Sequence, residues 1–95
     1  VTKTWKSSDG TQWYRVYSDG FIEQGGTSTG ADVTTITLNT PFTRADYYAN
    51  VTPVGNNAEG VMYAYTLFNK DTEKFSLYNW KIKLVGNVVW HACGY

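Results

Sequence analysis

The chain has one Cys, one His, one Met and two Pro in 95 residues. One Cys excludes an internal disulfide framework. One Cys with one His cannot close a metal site within a single chain. Only a symmetric assembly, bringing copies of His91 together, would leave that route open. Charge of one sign is also lacking. Eight basic and eight acidic residues give a formal net charge of zero, and no charge run occurs, which argues against nucleic acid or an anionic membrane as a partner. No run is long and apolar enough for a transmembrane helix, and no membrane insertion is expected. No stretch keeps a helical period.

What the chain does have is aromatic mass and strand formers. Four Trp, eight Tyr and four Phe make up 17% of the residues. Thr, Val, Tyr and Gly outnumber the long helix formers. This is an all-β composition in a length that suits one domain. The chain opens at Val1 rather than Met and reads as a fragment of a longer protein.

The most informative stretch runs from Trp13 to Gly26. Two strand-forming runs flank Ser18-Asp19-Gly20, a strong hairpin signal. A two-residue turn at Asp19-Gly20 would set Tyr17 opposite Ile22 and Val16 opposite Glu23. A three-residue turn with a left-handed Gly20 would set Val16 opposite Ile22 and Arg15 opposite Glu23. The second register pairs apolar with apolar and Arg with Glu, so it is preferred. It requires positive φ at Gly20. Tyr14, Val16, Ile22 and Gln24 then share one face, and Trp13, Arg15, Tyr17, Phe21 and Glu23 the other. Aromatics on both faces imply that both are covered, one by the core and one by something else.

Around this hairpin, residues 1–12 read as a lead-in with a Ser8-Asp9-Gly10 turn. Val33–Leu38 alternates, with Thr34, Ile36 and Leu38 on one face. Tyr47–Thr52 reads as a strand ending at Pro53. Residues 61–68 and 73–80 form a second antiparallel hairpin about a turn at 69–72. Residues 81–85 alternate again, and Val88–Cys93 is the last strand. Seven or eight short strands with regular turns predict a small antiparallel β-sandwich.

Catalytic chemistry finds little support. The carboxylates are scattered, mostly at turn positions where Asp caps backbone, whereas glycosidases need two across one cleft. Cys93 and His91 share a strand face but lack a third group to orient the imidazole. Cys is among the most buried residue types, so Cys93 is expected in the core. No catalytic residue, metal or cofactor is therefore expected. Sugar binding fits the aromatics better, because a ring offers an apolar face and Tyr or Trp adds a polar tip. Most such rings in any domain are core. A domain this small cannot bury four Trp and eight Tyr alone, so some must reach solvent. The candidates are Tyr47, Tyr48 and Trp80, with Asn56, Asn57, Asn69 and Asp71 on loops; Tyr63, Tyr65 and Tyr78 are further rings of the same kind.

Two motifs also carry a resemblance. The string Trp13-Tyr14-Arg15-Val16-Tyr17-Ser18-Asp19-Gly20-Phe21-Ile22-Glu23-Gln24-Gly25-Gly26 resembles the opening hairpin of the C-terminal domains of bacteriophage tail fibres. Trp90-His91-Ala92-Cys93-Gly94-Tyr95 is similar to the Trp-x-Ala-x-Gly-Tyr with which that family usually ends. The motifs bracket residues 13–95. The family often has Trp after the Gln of the second strand, where this chain has Gly25. The resemblance implies a homotrimeric receptor-binding knob over 13–95, behind a lead-in over 1–12. It implies a phage, prophage or tailocin fibre tip that acts at the bacterial cell surface and binds a surface glycan or other host receptor. A purely structural trimerisation cap and an enzyme acting on surface polysaccharide are the alternatives.

Overall fold

A computed structural model describes residues 2–29, 33–55, 65–79 and 86–95. The described residues form eight strands: β1 (Lys3–Lys6), β2 (Gln12–Val16), β3 (Ile22–Thr29), β4 (Val33–Thr37), β5 (Tyr48–Gly55), β6 (Tyr65–Phe68), β7 (Lys74–Asn79) and β8 (Gly86–Gly94). They form two antiparallel sheets, a five-stranded one in the order β1-β2-β3-β8-β5 and a three-stranded one in the order β4-β7-β6. There is no helix among the described residues. The all-β sandwich read from the sequence is the observed architecture. Of the expected strands, 61–64, Trp80 and 81–85 lie outside the described residues.

The lead hairpin adopts the three-residue register, with Val16 opposite Ile22 and Arg15 opposite Glu23. Gly20 has φ 91°, a conformation in which any Cβ would be strained. The Asp19 carboxylate accepts the Phe21 N–H at 2.9 Å, fixing the exit from the turn. The turn at Gly10 uses the same device, with φ 77° and Asp9 Oδ1 accepting from Thr11 N at 3.0 Å. Ser7 and Thr11 hydroxyls also donate to that oxygen, and together these donors hold the Asp9 carboxyl down at about 2. Residues 3–6 pair with β2 as the edge strand of the same sheet.

Alternation decides which side chains enter the core. Ile22, Val88, Trp90 and Ala92 face inward from the large sheet, and Ile36, Leu38, Phe75 and Leu77 face them from the small one and its end. Phe75 meets the Trp90 ring edge to face, with centroids 5.8 Å apart. On β4, Thr34 and Ile36 are buried while Val33, Thr35 and Thr37 are exposed, as the sequence pattern requires. The connector from residue 38 to 47 closes one end of the sandwich, and Phe42 and Tyr47 stack there at 4.2 Å.

One buried polar side chain ties this connector to the large sheet. Gln24 is fully buried. Its Nε2 donates to Thr40 O at 2.8 Å, and its Oε1 accepts from Asn39 N at 2.8 Å and Thr40 N at 3.1 Å. Asn39 Nδ2 in turn donates to the carbonyls of Trp13 and Gly25. Three backbone groups of a non-repetitive, half-buried segment, which no ladder satisfies, are thereby given partners.

Strand β5 continues through Pro53 to Gly55, beyond the expected stop. Among the described strands it is the sheet edge, bonded only to β8. A proline there loses no ladder bond if its nitrogen faces the open side, which is where edge prolines occur.

The outer face of the lead hairpin is half-buried, largely by its own side chains. The Trp13 indole lies across Gly25, where a Cβ would stand 3.0 Å from the ring and 2.6 Å from Trp90 O. It reaches His91, with ring centroids 5.8 Å apart. Gly25 thus makes room for a neighbouring Trp where the resembled family carries one in place. Tyr17 Oη donates to Glu23 Oε1 at 2.5 Å, and Arg15 Nη1 lies 3.5 Å from the same oxygen.

This contact sets a pH dependence. The Tyr17 hydroxyl, with help from Arg15, holds the Glu23 carboxyl below its ordinary 4.5. A lowered native pKa contributes stability that is full above the unfolded value and is lost as pH falls through the native one. Glu23→Gln should therefore lower the melting temperature at neutral pH and flatten its fall between about pH 6 and about pH 3. Parallel melts of the two proteins across that range make the comparison. Identical slopes would show that Glu23 contributes nothing to acid sensitivity.

Candidate functional site

The most exposed of the large apolar side chains described is Tyr48, at 76%. Its position follows from register. Tyr48 pairs with Cys93 across β5 and β8, and Cys93 pairs with Glu23 across β8 and β3. Glu23, Cys93 and Tyr48 therefore lie in one row on the outer face. Ala92, one residue earlier, takes the buried position. Cys93 is accordingly half-exposed. This corrects the expectation of a core cysteine: alternation, not the residue's burial tendency, decides the side it occupies.

Tyr48 borders a cleft of about 260 Å³ lined by Phe21, Arg44, Asp46, Cys93 and Tyr95, among others. Two sets of contacts build it. Tyr95 O accepts from Thr43 N at 2.8 Å, Arg44 N at 3.1 Å and the Thr43 hydroxyl at 2.9 Å, which fastens residues 43–44 to the end of β8. The Tyr95 ring then packs on Phe21 nearly edge to face at 5.5 Å, while its hydroxyl donates to Asp19 Oδ2 at 3.2 Å. The nearby Asp19 charge, and then this bond, raise the Tyr95 pKa. Arg44 and Asp46 form an exposed ion pair at 2.6 Å. Such a pair adds little to folding but presents donors and acceptors beside three aromatic rings.

The other sequence candidates divide. Tyr47 is a core residue, 2% exposed. It stacks on Phe42, and its hydroxyl donates to Lys74 O at 3.3 Å. Burial pushes its phenol up to about 12. Its ring is not available as a platform, because it is the neighbouring Tyr48 that begins the outward-facing row. Asn69 and Asp71 belong to the turn before β7. Asn69 has φ 51°, a left-handed conformation Asn tolerates. Asp71 Oδ1 accepts from Glu73 N at 2.8 Å and Lys74 N at 2.9 Å, and these bonds, the Glu73 one foremost, lower its pKa. Both therefore have turn-forming work. Lys70 between them donates to Tyr47 O at 2.5 Å and lies over the Tyr47 ring, so the structure does bring this turn beside residues 47–48. Asn56, Asn57 and Trp80 lie outside the described residues.

Phe21, Arg44, Asp46 and Tyr95 were not among the candidates. Phe21 and Tyr95 sit in the two terminal motifs, and nothing local in the sequence says that those motifs meet. The arrangement offers stacking surfaces and hydrogen bonds, the means of non-covalent recognition. No three His, Cys, Asp or Glu side chains among the described residues converge on a metal-binding group.

No family model matches the sequence, and no curated protein matches it. Two solved structures do match in three dimensions. One is an N-truncated R2-type pyocin tail fibre, and the other a C-terminal fragment of the Pseudomonas aeruginosa R2 pyocin fibre. Each superposes with a TM-score of 0.68 at 23% identity over 99% of this chain. The chain spans 38% and 26% of those two structures. At this identity the likeness concerns the fold: these residues adopt the all-β fold found in R2 pyocin tail-fibre fragments.

Proposed function

We propose that this chain is the tip domain of a phage, prophage or tailocin tail fibre and binds a glycan on the bacterial host surface without covalent chemistry. The observation that carries the proposal is the Tyr48 cleft. On a fold found in tail-fibre fragments, a largely exposed Tyr stands beside Phe21, Tyr95 and an exposed Arg44–Asp46 pair. An aromatic ring left in water has no folding benefit, whereas it gains on stacking against a sugar's C–H face. Rigid strands hold the rings, and the connector supplies the polar groups, a common division for binding sites.

The test is attachment of the labelled domain to host cells. Tyr48→Ala should weaken attachment roughly three- to tenfold with an unchanged melting temperature, and periodate oxidation of the cell-surface sugars should abolish it. Full attachment of Tyr48→Ala to intact cells would remove this cleft from the account. Absence of any attachment to a broad panel of bacteria would favour a structural cap.

We further infer that the domain works as a homotrimer. The outer face of the large sheet exposes Val54 and Val89 besides Tyr48, and the outer face of the small sheet exposes Val33, Phe68 and Tyr78. Apolar surface spread over two faces favours contact with other copies, and the tail-fibre reading selects three. Part of the 13–26 hairpin or of strand 88–95 lines that contact, at side chains other than Trp13, Arg15, Phe21, Cys93 and Tyr95, which line open clefts. Sedimentation equilibrium at micromolar concentration should return three times the chain mass, and a monomer there would overturn the trimer for this domain.

A further inference from the structure

A second and larger cleft, of about 550 Å³, lies on the β1–β2 hairpin, at the opposite edge of the five-stranded sheet from β5 and Tyr48. Thr4 pairs with Arg15 and Lys6 with Trp13, so these four side chains share one face. They line the cleft with Gly10, and Trp5 and Tyr14 complete it. The lining holds two cations, Lys6 and Arg15, and no carboxylate, in a chain whose acids and bases balance overall.

Among the described residues Lys6 is in no ion pair, and Arg15 is in one, with Glu23 at 3.5 Å. Asp9, in the adjoining turn, keeps its charge but directs its Oδ1 at Ser7, the Thr11 hydroxyl and the Thr11 amide and pairs with neither cation. The Arg15 side chain is 52% exposed, so donors of its guanidinium remain free for an anion. That guanidinium stands 5.2 Å from the centre of the Trp13 ring. The indole is itself positioned by Gly25 below it and His91 beside it. Cation and ring are thus held together before any ligand arrives, which lowers the ordering cost of binding.

We propose that this cleft binds an acidic sugar residue, with its carboxylate or phosphate on Lys6 and Arg15 and its apolar ring face toward Trp13. Charge selects the acidic group, and the aromatic surface selects a pyranose over a free anion. The proposal rests on the reading of the domain as a glycan binder and adds a second subsite with a different preference from the Tyr48 cleft.

The test is a titration of the isotopically labelled domain, followed by amide NMR, with glucuronic acid, glucose 6-phosphate, glucose and inorganic phosphate in turn. The two acidic sugars should shift amides within residues 4–15 and bind at least about fivefold more tightly than glucose or phosphate. Lys6→Glu should weaken them about tenfold with unchanged thermal stability, and Tyr48→Ala should leave them unaffected. Equal binding of glucose, equal binding of phosphate alone, shifts mapped elsewhere, or full affinity in Lys6→Glu would each overturn the proposal. Cell attachment measured in parallel separates the two readings. A domain that attaches to cells while this cleft stays silent retains the host-binding role and loses the subsite. A cleft that takes acidic sugars in a domain that attaches to no cell retains the subsite and loses the host-binding role.

Discussion

The carboxamide of Gln24 is the contact on which the rest of the architecture depends. The connector that leaves β4 and returns to β5 has no partner strand at residues 39–40. A ladder cannot satisfy its backbone there, and burial without partners would cost about 1–3 kcal/mol for each orphaned group. Gln24 supplies both kinds of partner from one side chain, accepting from two amides and donating to one carbonyl. Beyond it, Leu38 N and Phe42 N donate to Glu73 O and Thr72 O beside β7. The same short segment is therefore bonded to one sheet by Gln24 and Asn39 and to the approach of the other by backbone.

That anchoring carries over to the surface. Phe42 and Tyr47 close the end of the core within the anchored segment, and Arg44 and Asp46 project between them into the Tyr48 cleft. Tyr95 holds residues 43–44 from the other side and rests on Phe21, the residue that follows the Gly20 turn. The first hairpin, the connector and the last strand thus meet at one rim. The β1–β2 cleft stands at the other edge of the same sheet and shares its outer face. Inner positions are committed to packing, while outer ones such as Tyr48 reach solvent. The alternation of β-structure separates the two sets.

Much of the fold was legible because it is local. The hairpin register followed from matching Val16 to Ile22 and Arg15 to Glu23, and Gly20 from turn geometry. The faces of Val33–Leu38 followed from period-two alternation. The candidate site was less legible. Tyr47 and Tyr48 are adjacent and chemically alike, and only the row they join decides that one is core and the other surface. Cys93 reads as a core residue by type and faces outward by register. Pro53 looks like a strand end until β5 is seen to be the edge among the described strands. The partnership of Phe21 with Tyr95 spans almost the whole chain, and no local pattern encodes it. The register could place Gln24 on the face of Tyr14, Val16 and Ile22, but not its bonds, since its partners at 39–40 carry no mark of needing it.

The measurement that bears most directly on this account is the unfolding free energy of Gln24→Ala, from denaturant titration against the unaltered domain. The substitution strands Asn39 N, Thr40 N and Thr40 O and opens a small cavity, so a loss of about 2–5 kcal/mol is expected, with the amides of Asn39 and Thr40 among those whose hydrogen exchange accelerates most. A stability within about 0.5 kcal/mol of the unaltered domain, with those two amides still protected, would contradict the claim that this one side chain holds the connector to the sheet.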